Sequence, residues 1–177
     1  MPKVVLFTAT TLDGYIARPD GNLDWLIEFP NPENLDYGYD EFMGGVGSII
    51  MGKNTYNEIL SFGIDWPYKG IESYIVASDP KFKIKSPDTY LVNEGLTNLV
   101  EGLKTEKGKD IWLVGGGKLI TSFLNQHLLD RMVLTIIPTI IGEGIRLFPD
   151  KPKETTWALT ECTPFKTGIV NLIYDRI

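Results

Sequence analysis

Apolar and polar positions alternate along this chain in two rhythms, and the switch between them marks the elements. Val4–Thr10 is apolar enough to be a strand buried on both faces. Turn signals follow at Asp13-Gly14 and Pro19-Asp20-Gly21-Asn22. Residues 17–34 read as a long loop that carries Trp25. A short helix is predicted over Leu35–Met43, closed by Gly44-Gly45. Ser48–Met51 is a short apolar strand ending at Gly52, and Asn54–Leu60 a helix with Asn54 or Thr55 near its N-cap. Gly63–Gly70 is turn-rich; Tyr74–Ala77 and Thr89–Val92 are further strands. Leu96, Leu99, Val100 and Leu103 recur at helical spacing, which predicts a helix over 96–105. After a turn at residues 107–110, Ile111–Val114 is a strand and Lys118–Leu124 a helix. Arg131–Ile137 is a strand and Pro138–Gly144 a loop. Trp157–Thr163 and Ile169–Asp175 form a closing antiparallel pair.

Strands alternating with helices, then a strand-rich tail, predict an α/β fold: a mostly parallel sheet with an antiparallel edge. No linker or repeat interrupts it, so residues 1–177 are expected to form one domain.

Composition narrows the function more than the fold. The 177 residues carry a formal charge of -6, which disfavours a nucleic-acid partner. One Cys and one His exclude an intrachain disulfide, a zinc finger and a zinc deaminase. No metal site is expected. Cys162 reads as a buried or bland strand residue, and His127 as a helix-end residue. No run approaches the roughly 18 apolar residues of a membrane span, nor is there a signal-type segment. The expectation is a cytoplasmic protein without a membrane partner.

Four features carry candidate chemistry. The first is Ile111–Leu119: strand, then Gly115-Gly116-Gly117, then helix. Glycines there let backbone approach a ligand, and the helix N-terminus favours phosphate. A tight turn without ligand is the plain alternative. The second is Gly52-Lys53-Asn54-Thr55-Tyr56, again strand end, glycine and helix start, with Lys53 placed to meet an anion. Both turns fall at the carboxyl ends of strands, where open α/β sheets bind ligands. The third is Leu12-Asp13-Gly14-Tyr15-Ile16, whose backbone, with Ala9 or Ile16, is suited to line a flat ring; the Trp25 loop would close over it, or simply cover the core. The fourth is Asp36 and Asp40, which share a face if the first helix spans both. Either acid is a candidate for a hydrogen bond or a proton, or is an ordinary surface carboxylate.

Taken together, these segments resemble the dihydrofolate reductase superfamily, and more closely its branch related to the reductase (RibD C-terminal) domain of bacterial riboflavin biosynthesis. The likeness rests on Thr11-Leu12-Asp13-Gly14-Tyr15-Ile16, Ile50-Met51-Gly52-Lys53-Asn54-Thr55-Tyr56, Val114-Gly115-Gly116-Gly117, and Gly142-Glu143-Gly144 after Pro138. It implies a three-layer, dihydrofolate-reductase-like fold with a mostly parallel sheet of about eight strands. It implies NADPH as cofactor. Gly52, Lys53 and Thr55 would hold the adenosine phosphates, with Lys53 and Ser78 at the 2′-phosphate. Gly115, Gly116, Gly117, Lys118 and Leu119 would wrap the pyrophosphate, and Ala9 and Ile16 would flank the nicotinamide. Homodimers are common in that branch.

The chain departs from folate enzymes in its first-helix acid, which matches either Asp36 or Asp40. It departs again in its early loop, where Leu23-Asp24-Trp25 replaces a Pro-Trp pair. The expected activity is NADPH-dependent hydride transfer to a small pterin-like or aminopyrimidine-like heterocycle, without an appended deaminase. Asp40, Asp36, Tyr15 or an ordered water would supply the proton. The alternative is a non-catalytic module that keeps the fold and binds a nucleotide, another phosphorylated ligand or a partner protein.

Overall fold

Eight strands hydrogen-bond into one sheet because most of them are too apolar to leave either face in water. This computed structural model describes residues 1–106 and 108–177. In chain order the elements are β1 (Val4–Thr11), β2 (Tyr15–Ala17), α1 (Asp24–Ile27), α2 (Tyr39–Gly45), β3 (Val46–Gly52), α3 (Lys53–Ser61), β4 (Glu72–Val76) and β5 (Thr89–Val92). Then come α4 (Leu96–Glu106), β6 (Asp110–Gly115), α5 (Gly117–Asn125), β7 (Arg131–Ile137), β8 (Ile145–Arg146), β9 (Trp157–Pro164) and β10 (Val170–Arg176). The turn expected at 107–110 begins at Lys107, which lies outside the described residues.

The sheet order is β5-β4-β3-β6-β1-β7-β10-β9, with β2 and β8 as a separate pair. Strands from β5 to β7 run parallel; β10 is antiparallel to both β7 and β9. The expected mostly parallel sheet with an antiparallel edge is what forms, in the three layers of a dihydrofolate-reductase-like fold.

Two helical layers cover the sheet. On one face α4 and α5 place Val100, Leu103, Ile120, Phe123 and Leu124 against Val4, Leu6, Ile50, Ile111 and Leu113. On the other, residues of α2, α3 and the 61–72 loop pack against Ile49, Met51, Ile75 and Trp112. This second layer is aromatic: Phe42 stacks on Phe7, and Tyr56, Trp66, Tyr68 and Trp112 meet edge to face. A third cluster joins Trp25, Ile137 and Ile169 with Ala9, Phe29, Tyr37 and Phe165.

Three expectations need correction. The first helix does not begin at Leu35. Asn34, Tyr37 and Gly38 have φ values of 50°, 53° and 86°, a left-handed backbone that an α-helix cannot contain, so α2 starts at Tyr39. It runs through Gly44-Gly45 and passes straight into β3. The α3 N-cap is Gly52, in extended conformation, so Asn54 and Thr55 lie inside the first turn. The 17–34 segment is not all loop: α1 takes one turn over Asp24–Ile27 and buries Trp25. Cys162 is the exposed alternative of its reading, since β9 is an edge strand and most of its residues face solvent. His127 behaves as expected: it takes φ 57° just past α5, and its N–H returns to the Leu124 carbonyl. Among the described residues, no helix is long and apolar enough to cross a membrane.

The antiparallel edge is tied to the parallel body by charge. Arg131 on β7 grips Asp175 on β10 through two bonds of 2.8 Å, and the Lys3 ammonium adds a third at 3.0 Å. The Arg131 guanidinium, then Lys3, hold the Asp175 carboxyl down to about 2. Its folded pKa lies below the unfolded 3.8, so the stabilisation is complete above pH 4 and is lost as pH falls toward 2. Asp175→Asn should therefore cost about 1–2 kcal/mol at pH 7, after discounting for partial exposure. In thermal melts the gap between variant and parent should close by pH 2; a gap independent of pH would show that the pair adds no charge-based stability.

Candidate functional site

The site follows from how the chain leaves two neighbouring strands. β3 and β6 lie side by side and parallel, with Ile50 opposite Leu113 and Met51 opposite Gly115. From β3 the chain enters α3, whose Tyr56 and Ile59 pack on the aromatic face. From β6 it enters α5, whose Ile120 and Phe123 pack on the opposite face. Adjacent strands whose following helices part to opposite faces leave a crevice at their carboxyl ends, the place where open α/β sheets bind ligands.

Both helix N-termini open onto this crevice. The N-caps are Gly52 for α3 and Gly116 for α5, and neither supplies a side-chain capping bond. Helix dipoles and free first-turn N–H groups therefore favour an anion there. A β-carbon at Gly52 would come within 3.8 Å of the Gly115 carbonyl oxygen, so the two turns nearly touch. Gly115 takes φ 140°, which a side chain rarely tolerates. The Thr55 hydroxyl accepts the Gly116 N–H at 3.0 Å, joining the turns. A glycine turn at a helix N-terminus suits a pyrophosphate, and here the Gly116 N–H is already taken by Thr55.

The other expected residues divide. Lys53 is exposed as the first residue of α3, its ammonium 6.0 Å from the Phe82 ring centre. Ser78 is exposed just past β4, at the same sheet edge. Lys118 is exposed on the first turn of α5. Leu119 has its side chain buried in the core, and its N–H goes to the Gly116 carbonyl at 2.9 Å. Gly117 serves packing. A β-carbon there would stand 2.6 Å from the Arg146 carbonyl oxygen and 2.8 Å from the Pro149 ring. Ala9 packs beside Trp25, whereas Ile16 packs on the α4–α5 core, so the two belong to different clusters.

The candidate proton donors are not brought together. Asp36 precedes α2, so it shares no helix face with Asp40, and both are exposed. Asp36 accepts the N–H groups of Asp40 at 2.9 Å and Gly38 at 3.1 Å, which hold its carboxyl below the usual range. It is the anion that starts α2. Tyr15 donates its hydroxyl to the Gly142 carbonyl at 3.3 Å, under the Arg146 guanidinium.

Sequence reading passed over other polar groups near Ala9. Thr135, opposite Ala9 on β7, donates to Asn171 Oδ1 at 2.9 Å, and Asn171 Nδ2 donates to the Tyr37 carbonyl at 2.6 Å. The signal was Asn171 set between Val170 and Leu172 in the apolar first half of β10. The Trp25 indole N–H is fully buried and has no partner among the described residues.

With this geometry in view, comparison with known proteins is informative. Residues 71–171 match the model of the RibD C-terminal domain. Bacillus subtilis (strain 168) has the uncharacterised protein YwjB, 36% identical over 98% of this chain and 98% of its own. The chain belongs to the RibD C-terminal domain family. A solved protein assigned to riboflavin biosynthesis in Shewanella sp. PV-4 superposes with a TM-score of 0.88 at 31% identity, covering 99% of both chains. Dihydrofolate reductase from Enterococcus faecalis, complexed with NADP(H), shares the fold at 14% identity and a TM-score of 0.71, covering 98% of this chain and 96% of that one.

In this family member the cradle is a packed object, which gives a direct check. Gly117→Ala should destabilise the fold by about 1–3 kcal/mol, as overpacking does. Gly102→Ala, with open space around it, should be neutral or slightly stabilising. Equal melting temperatures for the two variants would refute the close approach at Gly117.

Proposed function

We propose that the protein is an NADPH-dependent reductase that delivers a hydride to a small pterin-like or aminopyrimidine-like heterocycle. The supporting observation is the crevice between β3 and β6, where two helix N-termini without side-chain caps converge on Gly52, Gly115 and Gly116. A dinucleotide is long enough to use both turns. Family membership and the NADP(H)-bound relative of the same fold point the same way.

Bound NADPH would supply the hydride; the chain binds, aligns and shields. Gly116, Gly117 and Lys118 receive the pyrophosphate at the open end of α5. Gly52, Lys53 and Thr55 take the adenosine side, with Lys53 and Ser78 at the 2′-phosphate. Ala9 and Ile16 border the nicotinamide corner. Asp36 is committed to its two N–H donors, and the Tyr15 hydroxyl to the Gly142 carbonyl. The reading therefore gives the proton to water, with exposed Asp40 at the first turn of α2 as its relay. The assembly that goes with this reading is a homodimer working in the cytoplasm.

Titration with NADPH, followed by tryptophan fluorescence, tests binding; no saturation at millimolar cofactor would sink the proposal. Lys53→Ala should weaken NADPH about tenfold and NADH hardly at all, since a charge-assisted bond to the 2′-phosphate is lost. Equal losses would remove Lys53 from that role. NADPH oxidation against a panel of pterins, aminopyrimidines and small carbonyls tests turnover. Tight binding without turnover across the panel would favour the non-catalytic module.

A further inference from the structure

The segment from Pro138 to Leu147 is the one motif-bearing stretch that the cofactor crevice leaves unexplained. It carries the Gly142-Glu143-Gly144 motif and touches both ends of the proposed site. At one end it lies on the β1–β2 corner. Leu12 gives its N–H to the Thr139 carbonyl at 2.9 Å, and Leu147 gives its own to the Gly14 carbonyl at 3.0 Å. β8 pairs with β2 through Ile145 and Ala17, and Gly144 packs on the Ala17 carbonyl too closely for any side chain. At the other end the Arg146 carbonyl abuts Gly117 in the first turn of α5.

One side chain gathers this contact. The Asp13 carboxylate accepts the Gly142 N–H at 2.8 Å, the Ile141 N–H at 3.4 Å and the Thr11 hydroxyl at 2.6 Å. The Thr11 oxygen in turn accepts the Tyr15 N–H at 3.0 Å. Asp13 is thus bonded to the connector directly and to β2 through Thr11. Bonds to an ionised acceptor are the strong ones, and here they act at the turn tips, where Leu12 and Ile140 are exposed and the connector's apolar contacts are left to Ile141 and Leu147. Those same bonds keep the carboxyl below its ordinary range, so it is an anion at neutral pH.

We propose that Asp13 is a positioning residue: its carboxylate latches the 138–147 connector to the β1–β2 corner, fixing Tyr15 and Ile16 relative to the N-terminus of α5. The effect on cofactor rests on the reductase reading above; the latch itself does not.

The test uses Asp13→Ala and Asp13→Asn in the full chain, with two separate readouts. Amide exchange at Gly142 and Ile141 should rise about tenfold or more in Asp13→Ala, while buried amides of β1 and β6 stay protected. Asp13→Asn, which loses the charge and keeps the shape, should fall between, and serves alone if the alanine variant does not fold. For the second readout, NADPH affinity in Asp13→Ala should drop about tenfold, while 2′,5′-ADP, which reaches only the Lys53–Ser78 end, stays within about twofold. Unchanged exchange at Gly142 overturns the latch. Equal loss of NADPH and 2′,5′-ADP overturns the positioning role, since a general structural defect would do the same. Failure of the unaltered protein to bind NADPH would sink the reductase reading, and the exchange readout would still decide the latch.

Discussion

The central constraint is the parallel pairing of β3 with β6 while their helices depart to opposite faces. Both strands are apolar on both sides, so each face must be covered, and a parallel strand returns only through a crossover. With α3 on one face and α5 on the other, the crossovers cannot close over the strand ends between them. The gap at Gly52 and Gly115 is a consequence of burying the sheet. The helix dipoles that converge there give an acidic protein a local preference for anions.

Around that gap, polar groups serve geometry. Thr55 ties one glycine turn to the other. Asp13 and the 138–147 connector tie the β1–β2 corner to α5. Asp36 reaches across the left-handed Tyr37-Gly38 pair to the first turn of α2, and Asn171 donates to the Tyr37 carbonyl. Both carboxylates among them, Asp13 and Asp36, are held below the usual carboxylate range by the groups that donate to them.

Much of this was legible residue by residue. The strand-glycine-helix turns at 52–53 and 115–117 are local, because glycine and the change from strand to helix rhythm lie within a few positions. That the Leu119 side chain enters the core was not legible, because its position beside the glycines says nothing of which way α5 turns. The start of α2 was misread because three left-handed residues, two of them not glycine, interrupt a helical pattern. Whether Cys162 is buried stayed open because strand spacing does not reveal which strand ends the sheet.

By itself the sequence determined most of the element types, the mostly parallel α/β class and the two strand-glycine-helix turns, since these depend on side chains and backbone freedom within a turn or two. Only the tertiary structure decided that β3 and β6 are neighbours, that α3 and α5 part to opposite faces, and that Asp13 meets Gly142 across 129 positions. Those outcomes follow from covering both faces of one sheet at once. That requirement acts on the whole chain, and no local spacing encodes it.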